Sequence, residues 1–565
     1  MKKHIFLLTI ILLFGQCSNE ADDKTYASLI IHGGTIHTVN PENPSVEAVA
    51  ISGDSIIFVG ALKDAEVYKN DDTKLIDLEG KVMTPGLIEG HGHFVGMGQS
   101  KQQVDLLGTK SYSELLERVE NAVSDSEEGE WITGRGWHQS KWEDTFKKVK
   151  GFPTNKKLSE ISPDNPVFLK HASGHAAIVN DKALELAGIG NSYEYGEGGE
   201  VILDESNNPT GILNERAQGI VFAKIPKNTP ELLSKATELA IQNCLEHGVT
   251  SFHDAGTTRE HMEVIKSFGE RNALKTRVYS MVSSPDESLL NEYLEKGPEI
   301  GLYNNFLTVR SIKIHADGAL GSRGAWLLKE YTDRPGHFGH ETTSMETVEE
   351  IAKNGLQKGF QVNTHAIGDR TNREVIDRYE IAFQEYPEKA EDHRFRIEHA
   401  QHINADDILR FSNLGIIPSM QAIHMSSDRP WAIDRLGEER ILEGAYVWQK
   451  LIKSGSRIIN GSDVPVEPID PIASLYASIF RKTLEGEPES GYEPDQSMTR
   501  IQALESYTIN GAYGAFEEDI KGTIEVGKLA DFTVFDRDLL IVPEEDFLDT
   551  EVLMTIVGGE VLYEK

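Results

Sequence analysis

The chain is 565 residues long, a length that suits one large domain plus something smaller. Its 56 basic and 91 acidic residues leave a formal charge of −35, which argues against nucleic acid or an anionic membrane surface as a partner. Two cysteines, Cys17 and Cys244, exclude a disulfide framework, and no low-complexity tract, heptad run or short-period repeat is present.

Met1-Lys2-Lys3 and the apolar run from Ile5 to Phe14 read as the charged and hydrophobic regions of a signal peptide, too short to remain as a spanning helix. The run ends at Gly15-Gln16-Cys17, which resembles the lipobox of bacterial lipoproteins, although Gln16 is not the usual small residue before the cysteine. Residues 1–17 are therefore expected to be a lipoprotein-type signal peptide, with the exported protein held at the bacterial cell envelope by lipid on Cys17. The alternative is an ordinary signal peptide and a soluble periplasmic product. Cys244 lies in an apolar helical pattern and reads as a buried core thiol.

Residues 26–85 carry β-branched runs, Leu29-Ile30-Ile31, Thr35-Ile36, Ala48 to Ile51 and Ile56 to Val59, separated by Gly-Gly, Pro and Gly-Asp turns. Gly522 to Gly527, Phe532 to Phe535, Val552 to Val557 and Gly558 to Leu562 have the same texture. The two ends, 26–85 and 515–565, predict one composite β-sandwich interrupted by everything between them. Residues 86–514 alternate buried-strand and helix signals. Strands are predicted at 86–91, 249–254, 276–282, 309–316, 360–365, 395–399, 415–420 and 457–462, with helices at 231–247, 347–358, 371–386 and 403–413. This is the order of a (β/α)8 TIM barrel. The stretch after the first strand is too long for one connection, so 100–245 is expected to be an inserted subdomain. Trp137, His138 and Trp142 fall there and read as buried aromatic packing.

In such a barrel the chemistry lies at the C-terminal ends of the strands. The first strand runs into His91-Gly92-His93. Side chains at i and i+2 of a strand share a face, so two imidazoles can reach one metal ion; the bland alternative is two solvated loop histidines. The fourth strand carries Lys313 inside an apolar run, the fifth ends in His365, the sixth in His399, and the eighth in Asp463. A buried lysine must lose or pair its charge, and a salt bridge to Asp317 is one route.

The segments TPGLIEGHGH (84–93), GRGWHQSKW (134–142), HASGHAAIVNDKAL (171–184), PTGILNE (209–215), KIHADGALGSR (313–323), THAIGDRTN (364–372), RIEHAQ (396–401), PSMQAIH (418–424) and NGSDVPVEPIDP (460–471) together resemble family 3 of the amidohydrolase superfamily, the group that includes N-substituted formamide deformylases. GTIEVGKLADFTVFD (522–536) resembles the superfamily's C-terminal signature. The resemblance implies two divalent metal ions, one on His91, His93 and Asp463 and one on His365 and His399. Lys313, carbamylated by carbon dioxide, would bridge them. Zinc is the default for a nitrogen-rich set, and the oxygen ligands admit manganese or iron. It further implies a metal-bridging hydroxide that cleaves a carbon–nitrogen bond of a small N-formyl, N-acyl or other non-peptide amide, Asp463 as the catalytic proton carrier, and His175, Arg323 and His424 as substrate-binding residues. A deaminase or ester hydrolase on the same scaffold, and a non-catalytic envelope binding protein, are the alternatives.

Overall fold

The computed structural model describes residues 25–565 apart from 140–141, 145, 172–175, 195–198, 216, 227 and 322. The leader and Cys17 lie outside the described residues. Strands from both chain ends form one continuous eight-stranded sheet. Its seam is the antiparallel pair of Val82–Pro85 with Phe532–Phe535, where Met83 faces Val534. Leu29, Ile31, Val49, Ile51, Met83, Phe532, Val534 and Ile556 gather in one apolar cluster of this sheet.

Two local expectations are corrected. Leu29–His37 is one strand and not two. Gly33-Gly34 makes a bulge in it, with the register shifting between His32 and Ile36. Gly33 has φ +81°, and a Cβ there would stand 1.9 Å from Asp77 Oδ1, so the bulge needs glycine. Gly522 to Gly527 forms turns instead of a strand. It is tied to the sheet by bonds from Ile524 N to Thr38 O (2.9 Å) and Gly527 N to Ile56 O (2.8 Å).

The middle of the chain is a TIM barrel. Its strands are β1 (Leu87–Gly92), β2 (Val249–Thr257), β3 (Arg277–Ser283), β4 (Leu307–His315), β5 (Gln361–Ala366), β6 (Arg396–His399), β7 (Ile417–Met420) and β8 (Ile459–Asn460). Each pairs in parallel with the next in sequence. The ring draws shut where β8 meets β1, through a bond from Asp463 N to His91 O of 2.7 Å. The helices Met345–Lys358 and Asp369–Glu385 follow β4 and β5. The first starts at Ser344, whose hydroxyl accepts from Thr347 N, and stops at the left-handed Gly359.

Between β1 and β2 a separate six-stranded sheet, running from Val104 to Glu215, carries its own apolar cores. Trp137 is fully buried in it and donates to Leu169 O at 2.8 Å. The helix Pro230–Glu246 packs through Ala236, Ala240 and buried Cys244 into the barrel core. It lies so close to the helix Phe94–Lys101 that a Cβ on Gly98 would fall 1.7 Å from Ala236 O. Among the described residues no helix is long and apolar enough to cross a membrane.

Candidate metal centre

The centre is built first by glycine. A Cβ at Gly90 would meet Ile459 Cγ2 at 2.3 Å and Asn460 O at 2.4 Å, and one at Gly92 would meet the Phe252 ring at 2.6 Å. Only glycine therefore lets β1 approach β8 and β2 closely enough to aim His91 and His93 at the loop after β8. Asp463 stands there with φ +59°, a left-handed conformation that costs energy outside glycine and directs the carboxylate inward. Its Oδ1 is 3.2 Å from His93 Nε2 and 3.6 Å from His91 Nε2.

The other groups arrive from the neighbouring strands. Lys313 on β4 is almost wholly buried and places Nζ 3.2 Å from His91 Nε2. His399 at the end of β6 packs its ring 4.8 Å from that of His91 and 4.4 Å from that of His365. His424, at the start of the helix Ala422–Leu436, stacks 6.1 Å from His399 with Nε2 3.9 Å from Asp463 Oδ2. Strand alternation would send Glu398 and His399 to opposite faces. His399 has φ +72° and Ala400 φ +41°, so the strand breaks and both side chains turn into the centre.

Around these groups stands a shell of acceptors. Glu398 Oε2 lies 2.5 Å from His91 Nδ1, and Gln421 Oε1 lies 2.7 Å from His399 Nδ1. Glu89 accepts from Ser462 N, Ser462 Oγ and His91 N, clasping the loops after β1 and β8. Asp317 is not a partner of Lys313. It accepts from the backbone of Trp326, Ile367 and Gly368 and from Thr371 Oγ1, and its Oδ1 is 3.4 Å from His365 Nε2.

The electrostatics follow from burial. Loss of water pulls the Lys313 ammonium down to about 8, opposed by the charges of Glu398 and Asp463. Burial and the Lys313 charge bring His91 down to about 4. Burial raises the Glu89 carboxyl to about 8. For Asp463 burial acts upward, but the His93 hydrogen bond and the charges of His91 and His424 outweigh it and hold the group ionised.

His91, His399 and Asp463 can each bring a ligand atom to within 4.8 Å of the others, a spacing that fits one divalent ion. The buried Nε2 of His424 has no hydrogen-bond partner, and that of His365 meets Asp317 Oδ1 at 3.4 Å without hydrogen-bond geometry. His93, His365 and Lys313 border the same space. Of the other predicted site residues, His424 joins this group and His175 lies outside the described residues. Arg323 sits on the loop after β4 with its guanidinium on Asp333, Nη2 to Oδ2 at 2.7 Å. Sequence reading missed Glu398, Arg396, Glu89 and Gln421, and gave Asp317 a different partner. Arg396 and Glu398 had left a signal, two opposite charges at i and i+2 of an apolar strand.

A parallel barrel with histidines, a lysine and an aspartate gathered at its C-terminal strand ends defines the class of metal-dependent hydrolases. The chain belongs to the amidohydrolase family, whose profile matches residues 74–563. It is 30% identical over 542 residues to the protein YtcJ of Bacillus subtilis (strain 168), covering 95% of this chain and 99% of that one. It is 27% identical over 553 residues to an N-substituted formamide deformylase of Arthrobacter pascens, covering 95% and 98%. Among solved structures, an uncharacterized metal-dependent hydrolase from Pyrococcus horikoshii OT3 superposes with a TM-score of 0.75 at 29% identity, over 92% of this chain and 99% of that one.

Proposed function

We propose that the protein hydrolyses the carbon–nitrogen bond of a small non-peptide amide, with N-formyl and N-acyl amines as the substrate class. The observation that carries this reading is that His91, His399 and Asp463 bring ligand atoms within 4.8 Å of one another beside a buried lysine. The likeness to an N-substituted formamide deformylase across nearly the whole of both chains supports the choice of bond.

In this reading His91, His93 and Asp463 would hold one divalent ion, zinc by default, and His365 and His399 a second. Lys313, carbamylated by carbon dioxide, would add a carboxylate to this ligand set. Bound there, the ions would supply a Lewis acid for the carbonyl and make a coordinated water acidic enough to attack at neutral pH. The chain's own residues do the rest. Asp463 is ionised and within reach of both His93 and His424, so it takes the proton from the attacking water and delivers it to the departing nitrogen. Water adds to the carbonyl carbon, the C–N bond breaks, and a carboxylic acid and an amine leave. His424, with its free Nε2 facing Asp463, is placed to hold the substrate's carbonyl oxygen.

The test is a panel of N-formyl, N-acyl and cyclic amides, with amino-heterocycles beside them, incubated with zinc-loaded protein, with carboxylate, amine and ammonia assayed separately. Carboxylate with stoichiometric amine supports the proposal. Ammonia from an amino-heterocycle would assign a deaminase, and no turnover from metal-replete protein would sink the enzymatic reading.

A further inference from the structure

Arg396 and Glu398 lie fully buried in the barrel beneath the candidate metal centre, and the hydrolysis described above uses neither. We propose that this pair is a positioning device. Glu398 holds His91 in the tautomer protonated on Nδ1, which leaves the Nε2 lone pair aimed at the space bordered by Lys313 and Asp463. The inference rests on the metal-binding reading of that space.

A neutral imidazole has one N–H and one lone pair, and the partner of one nitrogen decides the state of the other. His91 Nδ1 meets Glu398 Oε2 at 2.5 Å. A carboxylate can only accept, so this nitrogen is the donor. Arg396 contacts both oxygens of that carboxylate. Nε stands 2.7 Å from Oε1 as an ionic contact, and Nη2 donates to Oε2 at 3.1 Å. His91 Nε2 is then left as the acceptor, 3.2 Å from Lys313 Nζ and 3.6 Å from Asp463 Oδ1.

The guanidinium is itself held from three further strands. Nη2 donates to Gly90 O on β1 at 2.6 Å and to Ser419 Oγ on β7 at 2.8 Å, and Nη1 donates to His253 Nδ1 on β2 at 3.0 Å. Arg396 thus grips the residue before His91 while Glu398 grips its ring, so backbone and side chain of one ligand are set by one ion pair. A packing role needs no charge here, since buried ion pairs are commonly replaced by apolar side chains without loss of stability. Groups behind a metal-binding histidine typically change metal affinity by about 10- to 100-fold.

The test uses the full chain. Wild type and the double variant Glu398→Leu/Arg396→Met, which removes both buried charges together, are titrated with zinc against a competing chelator. Both are also unfolded thermally without metal. The proposal expects similar unfolding midpoints and zinc affinity weakened by about 10- to 100-fold in the double variant. A folded double variant with wild-type affinity overturns it. On the unmodified metal-free protein, the ring 15N shifts of His91, identified by their loss in His91→Gln, report the tautomer directly. A proton on Nε2 overturns the proposal whether or not the double variant folds. A wild type that takes up no zinc refutes the metal reading beneath it, and the tautomer measurement still decides the positioning claim.

Discussion

Lys313 Nζ lies 3.2 Å from His91 Nε2 where both side chains are shut off from water. An ammonium so placed would repel a metal ion at the nitrogen that is to bind it, and only a neutral or carbamylated lysine is compatible with occupancy. Lys313→Ala should therefore lower the metal content from two ions towards one or none and reduce turnover by orders of magnitude. Lys313→Arg should not restore it, because arginine keeps its charge. Metal analysis of the three proteins beside turnover on one active amide is the measurement. Two ions and full activity in the alanine variant would rule out the carbamate bridge.

Asp463 is the proton carrier of the proposed reaction, and its left-handed backbone is a cost borne for that placement. Asp463→Asn keeps the shape but cannot take a proton. Its turnover should fall by about 10²- to 10⁴-fold beyond any change that saturating metal repairs. Steady-state rates at several metal concentrations separate lost chemistry from lost metal.

Arg277 on β3 and Asp531 of the composite sheet form a buried two-point ion pair, at 2.7 and 2.9 Å, that fastens the barrel to the sheet. Asp531→Asn leaves the guanidinium without its counter-charge and should destabilise the protein by about 3–5 kcal/mol. Arg277→Met/Asp531→Leu together should recover most of that loss. Denaturant unfolding of the single and double variants checks both statements, and additive losses would show that the two side chains act separately.

Removing residues 515–565 strips the partner strand from Val82–Pro85 and exposes its edge. The truncated chain should aggregate instead of yielding a working barrel. Size-exclusion chromatography with an activity assay tests this; a soluble, active truncation would show that the barrel stands without the sheet.

The composition of residues 1–17 supports lipid attachment at Cys17, and we propose that this is the membrane link. Cys17→Ser should move the protein from the membrane fraction to the soluble fraction, with the lipid mass absent from its N-terminal peptide. A wild type whose N-terminus is unmodified would exclude the anchor.

The sequence by itself determined the barrel and most of its centre. Strand and helix periodicities are local properties, so all eight strands and the helices around β5 could be read from hydrophobic pattern alone. His91, His93, Lys313, His365, His399 and Asp463 could be read as candidates because each sits at or near a strand end, where fold class says chemistry belongs. Only the tertiary structure decided what surrounds them. Glu398 precedes a histidine that alternation sends to the opposite face, and it reaches the centre only because His399 and Ala400 adopt positive φ. Asp317 stands four residues beyond Lys313 yet accepts from Trp326, Ile367 and Gly368, bonds that no spacing along one strand reveals. Arg323 is paired with Asp333 within its own loop, a contact ten residues away that the glycine turn before it does not announce. Gly33-Gly34 read as a turn, but the pairing of Leu29–His37 with Ser45–Ser52 carries one strand through it as a bulge. For Asp317 and Gly33 the deciding partners come from other strands and loops, and for Glu398 the decision lies in two local backbone angles, neither of which a one-dimensional pattern records.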